Sequence, residues 1–237
     1  MPRQQSFARR WFTAVSWPAG ITLTSWDYMW RSTVLHRREE VESAVADHLP
    51  PPLPAGVDDE DVIGVDYGQG PLFHRRYTTM IRDAELGADE LFARLTANLN
   101  RAAPITFARF QRLAGEPGEL APGDEYVVRM PGPWDGPVRV IDRQARSFRL
   151  ATLAGHLEAG QIEFRVDGDD HLRFQIESWA RSSSRFSNLL YHRMRMAKEV
   201  QLHMWISFLE RIVGLSGGRM TGGIEVDTRR VEAGFSR

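Results

Sequence analysis

The chain of 237 residues has no cysteine at all. That absence removes disulfides, thiolate nucleophiles, iron–sulfur clusters and cysteine-ligated zinc together, and it suits a reducing, cytoplasmic setting. Lysine is nearly missing too: Lys198 is the only one, so almost every basic residue is arginine. A Schiff-base or phosphate-loop lysine has one candidate, and no G-x-x-x-x-G-K-[ST] motif surrounds it. There is no basic excess, the formal net charge being −1, which argues against a nucleic-acid partner. No run of 18 uncharged apolar residues occurs, so no membrane-spanning helix is expected. No H-x-x-x-H or H-E-x-x-H spacing is found, so neither a metal nor another cofactor is expected. G-x-G-x-x-G is absent as well.

What is present is an ordinary globular composition, 42% hydrophobic and 26% charged, enough to bury a core without staples. Residues 1–56 are read as a helical extension. Trp11, Trp17, Trp26 and Trp30 crowd its start, and a helix-like charged run, Arg37 to His48, follows. Arg9 and Arg10 before an apolar stretch superficially resemble an export signal, but Pro18 and Gly20 interrupt it and no clean cleavage site follows. Residues 9–30 offer a surface for membrane contact, and the extension could also pair two copies of the chain. Pro50-Pro51-Pro52-Leu53-Pro54 cannot continue a helix and reads as the connector to a main domain at residues 64–216. Residues 217–237 are read as a tail.

Within the main domain Phe73–Arg82 reads as a strand, and residues 88–100 as an amphipathic helix with Leu91, Phe92, Leu95 and Leu99 on one side. Six short alternating runs follow, near residues 105–113, 125–130, 137–141, 148–153, 161–166 and 172–179, separated by Gly, Pro and Asp turns. In the clearest hairpin Ile162, Phe164 and Val166 share a face, as do Leu172, Phe174 and Ile176. From Ser183 to Val213 there is neither Gly nor Pro. A helix of ~30 residues would span ~45 Å, with Met194, Ala197, Met204 and Phe208 in its apolar stripe. The sum is an α+β fold. About seven antiparallel strands form a curved sheet wrapped round a long C-terminal helix, and an apolar cavity is expected between them.

The segment Thr152-Leu153-Ala154-Gly155-His156-Leu157-Glu158-Ala159-Gly160-Gln161-Ile162-Glu163-Phe164 carries a resemblance. It is similar to the TLPGHPEAGEERF-type motif of an uncharacterised plant and bacterial family that includes the C-terminal part of the bacterial YndJ protein. Leu157 departs from the motif's proline, and Gln161-Ile162 from its acidic pair. More widely, the order of elements over roughly residues 70–215 resembles the helix-grip fold of START-like (SRPBCC) proteins, which include lipid-transfer domains and polyketide cyclases. The resemblance implies a fold and brings no established activity.

The expected function is the binding of a small, largely apolar molecule such as a lipid or polyketide. Phe164, Phe174, Ile176, Met194, Ala197 and Met204 would supply apolar walls, with Arg193 and Gln201 as polar anchors on the helix. The alternative is a cofactor-free cyclase or dehydratase in the same cavity, with His156, Glu158 or Tyr126 moving a proton. The plainer reading of the motif is a loop whose glycines supply φ > 0 and whose His and Glu cap backbone groups.

Overall fold

The computed structural model describes residues 33–42, 48–57, 61–104, 108–130, 135–183 and 195–232. Nine strands form one sheet: β1 (Leu35–Glu42), β2 (Gln69–Arg82), β3 (Arg109–Ala114), β4 (Glu125–Arg129), β5 (Asp135–Arg143), β6 (Ser147–Thr152), β7 (Glu158–Asp167), β8 (Leu172–Ser182) and β9 (Arg219–Val231). Among the described residues two α-helices, α1 (Ala88–Ala97) and α2 (Arg195–Ser216), accompany the sheet. The strand order is β1-β9-β2-β8-β7-β6-β5-β4-β3.

From β2 to β8 the elements follow the order expected from the sequence, and every pair of neighbours from β9 to β3 is antiparallel. The curved sheet nevertheless has nine strands rather than seven. Both additions come from segments read otherwise. Residues 219–231, taken as part of a tail, form a 13-residue strand between β1 and β2. Residues 35–42, taken as mostly helical, form an edge strand parallel to β9. The stretch from Ser184 to Met194, assigned to the last helix, lies outside the described residues, and the described α2 has 22 residues, or about 33 Å.

Alternation of side chains divides the sheet into an inner face toward the helices and an outer face. Tyr77, Ile81, Leu172, Phe174, Ile176, Phe164, Val166, Phe148, Leu150, Val138, Val140, Tyr126 and Val128 point inward and share one core with both helices. α1 starts with Asp89 and Glu90 in its first turn, where carboxylates complement the helix dipole. It docks Leu91, Phe92 and Leu95 into that core. α2 is buried along every residue from Leu202 to Leu209, so this length is enclosed on all sides rather than along one stripe. Part of its far side is met by the chain just before β1, where the Thr33 hydroxyl donates to Glu210 Oε1 at 2.6 Å.

The outer face is also covered. Val62 packs with Ile141, Ala151 and Leu153, and Val65 with Leu72, Trp179 and Val231. Hence residues placed on a solvated face by their polarity, such as Glu163, are buried.

Candidate functional site

The motif loop joins β6 to β7 and is tied to the covering segment by hydrogen bonds. The Ile63 amide donates to the Thr152 carbonyl (2.9 Å), and the Gly160 amide donates to the Ile63 carbonyl (3.0 Å). The Thr152 hydroxyl accepts from the Gly160 amide (2.9 Å) and donates to the Ile63 carbonyl (2.9 Å). Gly155 turns the chain with φ +97°. Replacing Thr152 with Val keeps the shape and removes a hydroxyl with two partners. The expected loss is about 1–3 kcal/mol of unfolding free energy, read as a shift in the urea midpoint. An unchanged midpoint would mean that water replaces the hydroxyl without cost.

The loop places His156 and Glu158 differently. His156 Nδ1 lies 2.9 Å from the Glu158 amide and 3.0 Å from its carbonyl. The ring can therefore accept from the first when neutral and donate to the second when protonated. Burial pushes its pKa below the ordinary histidine value, against the opposing pull of Glu158. Its Nε2 end rests over Gly136 of β5, where an added Cβ would stand 3.0 Å away.

The Glu158 side chain turns inward and joins Gln201 of α2 and Arg75 of β2. Gln201 Nε2 donates to Glu158 Oε2 (3.0 Å), and Arg75 Nη1 donates to Gln201 Oε1 (3.3 Å) and lies 4.0 Å from Glu158 Oε1. The Arg75 guanidinium also sits 4.6 Å from the centre of the Phe73 ring, a cation–π arrangement. A shallow cleft borders this group; it encloses about 10 Å³, and the rest of its space is open to solvent. It is lined by Gln69, Pro71, Phe73, Glu158, Ala180, Arg181 and Ser182. Arg181 is held by the carbonyls of Gly70 and Val65.

Of the residues singled out from sequence, Glu158 and Gln201 therefore meet, with His156 joined through the Glu158 backbone. Tyr126 stands apart. Its row across the sheet runs through Val138 and Thr152 to Gly160, three strand spacings or about 14 Å. Its hydroxyl accepts from Arg112 Nε at 2.8 Å, and burial raises its pKa. Phe164, Phe174, Ile176 and Met204 lie in the packed core. Phe164 stacks on Phe148 at 4.7 Å and meets Trp205 at 5.6 Å and Phe208 at 5.4 Å. These rings pack against one another between the sheet and α2. Arg193 and Met194 lie outside the described residues, and Ala197 is in the first turn of α2.

Arg75 was missed because it sits in FHRRYTT between residues that read as strand surface. Its place on the inner face, in phase with Tyr77, was the available signal. Glu177 lies on the outer face, where it pairs with His74 and Arg76. Among the described residues no group of three His, Asp or Glu side chains could hold a metal, and no helix is long and apolar enough to cross a membrane.

The strand order and the gripped helix define an α+β protein of helix-grip-like type. The chain belongs to the DUF1990 family, a domain of unknown function, which matches residues 61–210. Among curated proteins nothing matches. Similar solved structures include a conserved protein from Geobacillus kaustophilus, with 13% identity, 62% of this chain and 98% of that one covered, and a TM-score of 0.44. A hypothetical protein from Helicobacter pylori has 9% identity, 60% and 86% coverage and a TM-score of 0.43. Norcoclaurine synthase from Thalictrum flavum, in complex with dopamine and hydroxybenzaldehyde, has 12% identity, 63% and 87% coverage and a TM-score of 0.41.

Proposed function

We propose that the chain binds a small molecule at the open end of its inner face. The largely apolar body of that molecule rests against Phe73, Pro71 and Ala180, and a polar group is recognised by Gln201 and Glu158. The observation that carries this reading is the hydrogen-bonded series Arg75–Gln201–Glu158 beside a cleft, on the inward side of an otherwise apolar sheet. Buried polar groups are costly unless satisfied, and a cleft with a few convergent polar groups is the usual form of a ligand site. Relative to the expectation from sequence, the proposed site lies toward the end where β7 begins and β8 finishes.

The test is native mass spectrometry of the purified chain, followed by titration of the retained molecule into variants. Gln201→Leu leaves Glu158 without its amide donor and should weaken binding about tenfold or more; Glu158→Gln should do the same. Equal affinity in wild type and both variants would remove the site. A cyclase or dehydratase reading also has a foothold, since Glu158 is a carboxylate on the cleft wall and could move a proton. It would require that Glu158→Gln abolish turnover of the retained molecule.

A further inference from the structure

Residues 48–57 lie across the outer face of the sheet, opposite the cleft. Two kinds of contact hold this strap. Arg149 Nη1 donates to the Pro52 carbonyl (3.2 Å) and the Pro51 carbonyl (3.4 Å), and Gln161 Nε2 also donates to Pro51 (3.2 Å). At the other end His48 Nδ1 faces His74 Nδ1 at 3.1 Å. We propose that the strap is an acid-released cover: it stays on the sheet while one proton lies between His48 and His74, and it detaches when both rings are protonated.

The tautomers follow from the neighbours. His74 Nε2 is 2.6 Å from Glu177 Oε1, so Nε2 carries a proton. Burial pushes the Glu177 pKa up, but hydrogen bonds from His74 and Arg76 outweigh it and hold the carboxyl below its ordinary range. Glu177 thus remains an acceptor in mild acid. With both rings neutral, His48 donates to His74. One added proton leaves a donor and an acceptor, whichever ring takes it. A second leaves two N–H groups pointing at each other, with ring centres 5.4 Å apart and both charged.

The surroundings oppose that second charge. Trp179 stacks on His74 at 5.3 Å and keeps water from one side. From β8, Glu177 accepts from His74, and Gln175 Nε2 donates to Glu177 Oε2. From β2, Arg76 spends its charge on the same carboxylate. From β9, Arg229 occupies the position paired with His74 and is held by Glu40, Glu42 and Asp227. The detached state therefore binds one more proton than the attached state, so acidification favours detachment. The contacts from Arg149 and Gln161 go to neutral carbonyls and do not titrate.

Because the chain has no cysteine, one nitroxide can be placed on the strap at Leu53→Cys, an exposed position. In the otherwise wild-type chain the ratio of mobile to immobile signal should rise about tenfold or more between about pH 8 and about pH 5. Adding His48→Gln keeps a donor toward His74 that cannot charge, and the ratio should stay constant. A separate label at Leu113→Cys on β3, at the far edge of the sheet, should not respond. The proposal fails if Leu53 shows no change, if His48→Gln responds like the wild type, or if both labels loosen together.

Discussion

Phe164→Ala is expected to cost about 3–5 kcal/mol of unfolding free energy, a third or more of what a domain of this kind commonly has. Phe164 is 1% exposed. Its ring stacks on Phe148, which touches Phe92 of α1, and meets Trp205 and Phe208 of α2. Truncation leaves a hole bordered by three rings fixed on two elements, β6 and α2, and such rings cannot close it cheaply. Urea unfolding should show a lower midpoint with the same slope. The experiment also decides a functional question. A side chain on the wall of an empty pocket has little to lose on truncation, whereas one wedged among aromatic neighbours has much. A cost below about 1 kcal/mol would restore Phe164 to the ligand wall and return the guest to the middle of the interface. A companion change, Met204→Leu, conserves volume and should cost less than about 1.5 kcal/mol.

The middle of the fold was legible because its signals are local. β7 and β8 alternate without interruption around Asp167-Gly168-Asp169-Asp170, and the apolar side of each is the side that meets α2. β9 was hidden because residues 217–237 read as a tail, with Gly222-Gly223 breaking any alternation within it. They are instead the extra residues of a bulge: Thr79 pairs with Ile224 and Met80 with Thr221, and both glycines take positive φ. Gly223 is further required by the chain beside it, since a Cβ there would stand 2.3 Å from the Val34 carbonyl. β1 was hidden for another reason. Val41, Ala44, Val45 and His48 fall at helical spacing, and charged residues favour neither structure strongly. What makes Leu35–Glu42 a strand is the free edge of β9 and its Arg229, which takes Glu40 and Glu42 as partners. No window of local sequence contains that partner.

The site was legible in part for the same reason. Glu158 and Gln201 were found because a motif and a helix stripe each mark their own residues. That they touch depends on α2 lying across the start of β7, 43 positions away. The outer face was misjudged through polarity. Arg149 and Gln161 look solvated by type, yet each is 7% exposed. The proline run expected to be a connector supplies their acceptors: proline lacks an N–H but keeps its carbonyl, so an extended proline segment can satisfy donors while making no strand of its own.

The motif glycines separate a turn requirement from a register requirement. Gly160→Ala is expected to abolish stable folding or cost more than about 4 kcal/mol. Its φ is +156°, and an added Cβ would lie 1.9 Å from the Trp179 carbonyl oxygen. That oxygen belongs to the backbone of β8, whose neighbours are fixed by pairing on both sides, with Gly160 opposite Ala180 and His74 opposite Trp179. It cannot yield without shifting the β7–β8 register, and a slip of one residue would turn Phe164 and Ile176 outward. Gly155→Ala meets nothing within 4 Å; only its φ of +97° is disfavoured, which should cost about 1–2 kcal/mol. Chemical denaturation of the two variants measures the difference. If both cost the same, the motif is a turn and no more. If Gly160→Ala alone is catastrophic, the motif's main task is to let β7 and β8 approach closely enough to set Glu158 beside Gln201, and its glycine then serves the site by fixing where the strand begins.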